Sequence, residues 1–207
     1  MPSRAQDDAG IVVPLRSFAL GKARLASVLD ASGRAALARS MAGSVLDAAG
    51  SHPVAVVSSE AEVRDWARAR GCDVLDDPGS LDGAASAGRD WAIERGLARY
   101  AIVHADLPLA RSLDAVVADG DASVAVVVPD RHDDGNPVLA LPTSTPFTFS
   151  YGPGSARRHA EEARRRSLTV RIVRDAELGF DVDVAADLDT LAALAASEHP
   201  PAPAPTP

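Results

Sequence analysis

Three stretches of this 207-residue chain combine residue types that can do chemistry with a local pattern that would present them. The first is Val103-His104-Ala105-Asp106-Leu107-Pro108-Leu109. The apolar run Tyr100-Ala101-Ile102-Val103 reads as a buried strand, and Pro108 forbids its continuation. Strands of an open α/β sheet form a ligand crevice at their carboxyl ends, so Asp106 can be offered there to a metal or a phosphate site; alternatively it caps the helix that follows Pro108. The second stretch is Leu178-Gly179-Phe180-Asp181-Val182-Asp183, a short extended piece whose two aspartates, at period two, point to the same face. The third is Gly152-Pro153-Gly154-Ser155, a helix start whose free amides can bind an anion, with Pro153 suited to the first turn.

The elements around these stretches alternate. Ile11-Val12-Val13-Pro14 is a first strand, and the irregular segment Leu15 to Leu29 follows it, carrying Gly21, Lys22 and Arg24. Such a segment is where α/β proteins place backbone amides around a nucleotide, although it is neither a P-loop nor a GxGxxG fingerprint, and taken alone Lys22 and Arg24 read first as surface charges. Ser32 is expected to cap a helix to about Ala49, and Ser59 with Glu62 to form a capping box for the next. Val54–Val57 and Cys72–Leu75 are strands two and three. A helix from Asp82 to Gly96 opens on small residues, Gly83 to Gly88, that let its backbone approach another helix or a flat ligand. Val124–Val128 is a fifth strand, and Val138–Leu141 follows the polar loop Pro129–Pro137 and can turn back toward the sheet. Thr169–Val173 is a further strand, and a last helix runs from Ala185 to Ala196. This order predicts one α/β domain over residues 11–197, a mostly parallel sheet with helices on both faces, between a disordered lead-in (1–10) and a mobile Pro/Ala-rich tail (198–207).

Composition narrows the partners. The net charge of −8 disfavours nucleic acid and anionic membranes, and the basic residues between Arg157 and Arg174 read as a solvated helix face. The single cysteine, Cys72, excludes an internal disulfide and a Cys-based zinc site. With no apolar signal core and no run near the ~18 apolar residues of a membrane span, a cytoplasmic location is expected. His104, His132 and His159 lack metal-ligand spacing and are expected to be structural.

Val13-Pro14 with Gly21-Lys22-Ala23-Arg24-Leu25, then His104-Ala105-Asp106-Leu107-Pro108, Pro129-Asp130-Arg131-His132, Gly152-Pro153-Gly154-Ser155 and Asp181-Val182-Asp183 occur in an order that resembles the 2-phospho-L-lactate guanylyltransferase family, itself similar to the MobA-like nucleotidyltransferases. The match runs from about Ile11 to Leu194. It implies a three-layer Rossmann-like nucleotide-diphospho-sugar transferase fold and transfer of GMP from GTP to a small phospho-acid (2-phospholactate, phosphoenolpyruvate or a phosphoglycerate), with release of pyrophosphate, in coenzyme F-420 biosynthesis. By the same resemblance Asp106, Asp181 and Asp183 hold Mg²⁺, and Lys22 and Asp106 are the catalytic pair. Pro14, Arg16, Lys22, Ser58 and Asp82 contact the nucleotide, and Asn136, Gly152, Gly154 and Ser155 the acceptor.

The chain departs from the family pattern in three places. Arg16 stands where lysine is usual. Ser80-Leu81-Asp82 replaces Gly-Leu-Asn, with Asp82 either accepting the guanine N1 and N2 donors or capping its helix. Gly135-Asn136-Pro137 replaces Gly-Thr-Asn, which removes one backbone donor beside the acceptor site. Arg131 either helps bind the acceptor or pairs with the aspartates of its own loop. Two other readings stay open: another nucleotidyl- or glycosyltransferase of similar fold, and a diverged homologue that binds nucleotide without turnover. The activated product makes a downstream transferase an expected partner, and a homodimer is compatible with the sequence.

Overall fold

The computed structural model describes residues 9–117 and 122–198. Seven strands, β1 (Ala9–Pro14), β2 (Val54–Val57), β3 (Asp73–Leu75), β4 (Arg99–Val103), β5 (Val124–Val128), β6 (Val138–Pro142) and β7 (Thr169–Ile172), form one sheet in the order β3-β2-β1-β4-β6-β5-β7. All pairings are parallel except those of β6, which runs antiparallel between β4 and β5. The helices are α1 (Ala31–Ala48), α2 (Ala61–Ala69), α3 (Leu81–Glu94), the one-turn α4 (Asp114–Val117), α5 (Ser155–Arg165) and α6 (Ala185–Glu198).

Strand β1 explains the layering. Its residues are buried on both faces, as a central parallel strand requires, and they alternate between two cores. Ile11 and Val13 pack with Val45 of α1 and Val63 of α2, while Val12 packs with Ala84 and Trp91 of α3 and, farther along, Ala163 of α5 belongs to the same layer. A third, smaller cluster joins Leu25, Met41, Phe180 and Val182 to Leu188 and Leu191 of α6. This satellite core anchors the chain on both sides of the crevice at the carboxyl ends of β1 and β4. The chain leaves β1 toward β2 on one side and enters β4 on the other, the switch point at which such sheets bind ligands.

Several local expectations change. Ala9 and Gly10, assigned to the lead-in, are the first residues of β1, with Ala9 2% exposed; the rest of that lead-in and nearly all of the proline-rich tail lie outside the described residues. Helix α1 is capped by Asp30, whose carboxylate accepts from the Gly33 amide at 2.7 Å; Ser32 only donates to Asp30. Ser59 donates to the Asp77 carbonyl instead of capping α2. Of the small residues at the start of α3, Ala84, Ala85 and Gly88 are the ones buried against the sheet. A methyl group at Gly88 would lie 2.3 Å from Val12 Cγ1 and 2.7 Å from Cγ2. Gly88→Ala should therefore destabilise the fold, because an overpacking cost of about 1–3 kcal/mol exceeds the ~1 kcal/mol gained in helix propensity. Urea unfolding should show a lower midpoint with an unchanged slope.

Candidate active site

The loop after β1 makes a single 3-10 turn, Ala23–Leu25, entered through Lys22 in the left-handed region (φ 58°, ψ 38°). That conformation costs a residue with a side chain about 1–2 kcal/mol, and such strain persists only where the surroundings impose it. What imposes it is visible at both ends. Leu25 is fully buried in the satellite core, and the Lys22 ammonium is held by two carboxylates, Asp106 Oδ2 at 2.6 Å and Asp183 Oδ1 at 2.9 Å.

Asp106 lies three residues past β4, where Pro108 ends extended structure, and the next helix begins only at Asp114. The helix-cap alternative is thereby removed. Asp181 and Asp183 sit on an irregular segment in which Phe180 and Val182 are buried and the two intervening aspartates are half-exposed. The Val182 amide reaches the Asp106 carbonyl at 3.4 Å and draws the two arms together. Asp106, Asp181 and Asp183 each offer an oxygen within 4.8 Å of the others.

The charges are coupled. Burial alone would lower the Lys22 pKa, but the charge of Asp106 and the hydrogen bonds to Asp106 and Asp183 outweigh it and hold the ammonium above its ordinary value. Burial would raise Asp106, yet Lys22, with a smaller contribution from His104, holds its carboxyl below the usual range. Asp181 is raised, first by burial and then by the charges of Asp106 and Asp183, which outweigh the weaker opposing charge of Arg131. One ammonium does not balance three carboxylates. Asp106 Oδ1 is in addition buried with no hydrogen-bond partner among the described residues. Hard oxygen donors, excess negative charge and an unused lone pair fit a hard divalent cation.

Beside this cluster lies a cavity of about 330 Å³ lined by Pro14, Arg16, Gly21, Lys22, His104, Asp106 and Asp183 among others, with Ala38 and Met41 giving it an apolar wall. The structure thus brings together Pro14, Lys22, Asp106 and Asp183 from β1, β4 and the carboxyl-terminal segment. Arg16 is at its edge, 63% exposed in its side chain; it donates to the Gly79 carbonyl at 2.7 Å and approaches Asp77 at 3.4 Å, tethering the loop before α3. Ser58 is fully buried and donates to the Arg16 carbonyl, so it supports this loop from behind and does not line the cavity.

Asp82 does not cap its helix. Ser80 caps α3 by accepting from the Gly83 amide at 3.1 Å, and Asp82 Oδ1 accepts from the Tyr151 amide at 2.7 Å. The start of α3 is thereby tied to the loop leading into α5. The α5 start is not a set of free amides either: Gly154 donates to Asp134 Oδ1 at 2.8 Å, Ser155 to the Gly152 carbonyl and Ala156 to the Asp134 carbonyl, so an anion at that terminus would have to displace Asp134.

Asn136 is 1% exposed and is held by His159. His159 Nε2 accepts from the Ser150 amide at 2.9 Å, so Nδ1 carries the ring proton and donates to Asn136 Oδ1 at 2.9 Å. That bond orients Asn136 and leaves its Nδ2, like His104 Nε2 and the Tyr151 hydroxyl, buried with no partner among the described residues. The His104 and Tyr151 rings lie 5.7 Å apart, and Tyr151 lies 4.7 Å from His159, so these groups form one patch reaching the cavity through His104.

Arg131 pairs with none of the aspartates of its own loop. Its guanidinium reaches Asp187 Oδ1 at 2.6 Å and the Asp181 carbonyl at 3.1 Å. Sequence reading missed Asp187, although an acidic residue in the first turn of α6 was a signal that it reaches back to the preceding backbone.

The fold is shared with nucleotide-transferring enzymes of known structure. A nucleotidyl transferase from Methanothermobacter thermautotrophicus superposes with a TM-score of 0.60 at 13% identity, covering 88% of this chain and 95% of that one. A protein from Desulfovibrio desulfuricans assigned to the nucleotide-diphospho-sugar transferases gives 0.72 at 19% identity, covering 89% and 86%. The chain matches the family described as "Guanylyl transferase CofC like" over residues 9–198, and it belongs to that family. Relatives include the phosphoenolpyruvate guanylyltransferase of Sphaerobacter thermophilus, 38% identical over 87% of this chain and 91% of the relative. The 2-phospho-L-lactate guanylyltransferase of Methanothermobacter thermautotrophicus is 29% identical over 86% and 81%. No helix among the described residues is long and apolar enough to cross a membrane.

Burial lowers the pKa of His159 from 6.5 to about 4. Between those values the unfolded chain binds a proton that the folded one refuses, so this residue makes stability rise with pH across that window. Equilibrium unfolding from pH 4 to 6.5 should show that rise, and His159→Gln should flatten it.

Proposed function

We propose that the chain is a Mg²⁺-dependent guanylyltransferase that transfers GMP from GTP to phosphoenolpyruvate, a step toward coenzyme F-420. The observation that carries this reading is the convergence of Asp106, Asp181 and Asp183 with Lys22 at the switch-point crevice of a CofC-like guanylyltransferase. The acceptor follows from the nearest kinship among the relatives described above: the 38% identical protein is named for phosphoenolpyruvate and the 29% identical one for 2-phospho-L-lactate.

In this reaction an acceptor phosphate oxygen attacks the α-phosphorus of GTP, the new oxygen–phosphorus bond forms as the α–β bridge breaks, and pyrophosphate leaves. Two anions must approach each other, so most of the catalysis is positioning and charge compensation. Mg²⁺ held by the three aspartates would neutralise phosphate charge where the anions meet. Lys22 is poised to exchange its carboxylate partners for phosphate oxygens, acting as a compact point charge on the leaving pyrophosphate. No nucleophile from the protein is needed, because the acceptor phosphate is already anionic. On the acceptor side, Asn136 Nδ2 is an orphan donor suited to a small anion, with His104 lining the cavity nearby, and it serves without the Gly154 amide, which Asp134 occupies. A downstream transferase consuming the activated phospho-acid is the expected partner.

Pyrophosphate release should require GTP, Mg²⁺ and phosphoenolpyruvate together, with lower rates for 2-phospholactate and the phosphoglycerates. Preference for CTP or UTP across the four nucleotides would overturn the guanylyl assignment. Asp106→Asn should lower kcat by at least about 100-fold, equivalent to roughly 3 kcal/mol of transition-state charge stabilisation. Unchanged turnover in that variant would remove the metal assignment.

A further inference from the structure

The Asp181–Asp183 segment belongs to no helix or strand, and yet it has to hold two carboxylates against a third from β4. Backbone pairing cannot supply that rigidity, apart from the long Val182-to-Asp106 contact. The rigidity comes from two side chains. Asp187, 5% exposed in the first turn of α6, accepts from the Asp183 amide at 2.7 Å and the Val184 amide at 2.8 Å through Oδ2. Its other oxygen takes Arg131 Nη2 at 2.6 Å. Arg131 Nη1 meanwhile donates to the Asp181 carbonyl at 3.1 Å, and the guanidinium lies over the Phe180 ring, 4.8 Å from its centre. One partly buried ion pair therefore grips the segment at Phe180, Asp181, Asp183 and Val184.

The grip is anchored on the opposite loop as well. The Arg131 amide donates to the Gly179 carbonyl at 3.0 Å, and a methyl group at Gly179 would lie 3.0 Å from the Pro129 carbonyl oxygen and 2.8 Å from that of Asp175. The loop after β5 and the carboxyl-terminal segment are thus in backbone contact, with the ion pair spanning them.

We propose that Arg131 and Asp187 form a positioning pair that sets the divalent-cation affinity of the Asp181 and Asp183 arm. Neither residue touches substrate in this assignment; each acts through the aspartates. The proposal rests on the metal-dependent guanylyl-transfer reading and adds to it a determinant outside the three carboxylates. Arg131 suits the task better than a lysine because its planar fork reaches Asp187 and the Asp181 carbonyl at once while stacking on Phe180.

The test is a Mn²⁺ titration of the full-length chain followed by electron paramagnetic resonance of free Mn²⁺, with no nucleotide present. Arg131→Gln and Asp187→Asn should each weaken Mn²⁺ binding by about 10- to 100-fold, the range for residues that orient metal ligands. The double variant should be little worse than the weaker single one, since both act through one bond. Arg131→Lys, which keeps the charge but not the second contact, should fall between wild type and Arg131→Gln and serves where the larger change impairs folding. In turnover, the loss should shrink as Mg²⁺ is raised, appearing in the metal requirement more than in kcat. A variant that merely loosened the fold would lower the thermal midpoint without this recovery. Mn²⁺ affinity within twofold of wild type in folded Arg131→Gln would overturn the positioning role and leave the metal site standing. Failure of the wild-type chain to bind Mn²⁺ would overturn the metal reading, and the positioning role with it.

Discussion

Three carboxylates drawn from residues 106, 181 and 183 cannot share one crevice unless a cation stands among them. At about 4 Å, each like-charged pair costs on the order of 4 kcal/mol at the effective dielectric of a protein surface. The Lys22 ammonium meets part of that constraint, joining residues 84 and 161 positions away in the chain. Much of the surrounding structure serves this junction. The left-handed turn at Lys22, the buried Leu25 behind it, the proline that stops β4 and the satellite core under Phe180 and Val182 all deliver one charge to one place.

The two arms of the cluster are built differently. Asp106 inherits its position from β4, which is central in the sheet and hydrogen-bonded on both sides, so it needs little local help. Asp181 and Asp183 come from a segment with no ladder, and their placement is borrowed from side chains. Under the metal reading, affinity would depend on the softer arm, which makes the Arg131–Asp187 pair the natural point at which sequence variation would tune the site without altering a ligand.

Fold class was readable from the sequence because apolar runs and small-residue helices alternate at strand and helix lengths, as at Ile11–Pro14 and Val54–Val57. The family was readable too, from motifs in order along the chain, and the strand after the polar loop was readable as one that can turn back, though its antiparallel pairing on both sides was not. Local caps were less so. Asp30, Ser32, Ser59 and Ser80 are all competent caps by residue type, and which of them acts depends on where the chain enters each helix, a tertiary matter. The partners of Asp82, Asp134 and Arg131 were hidden for the same reason: each binds a group between 20 and 69 residues away, and charge spacing along the chain carries no trace of it.

Net charge makes the same point from the substrate side. A net charge of −8 gives a nucleoside triphosphate and a phospho-acid no overall long-range attraction to the chain. Under the guanylyl-transfer reading, attraction has to be local: Lys22, the cation held by the aspartates, and neutral donors such as Asn136 Nδ2. The helix start at α5 would have been the obvious anion site, and Asp134 fills it. Neutral side-chain donors attract an anion only at contact distance, and they reward the shape of the acceptor more than its charge. An enzyme that must choose one small phospho-acid among several of equal charge gains selectivity from that exchange.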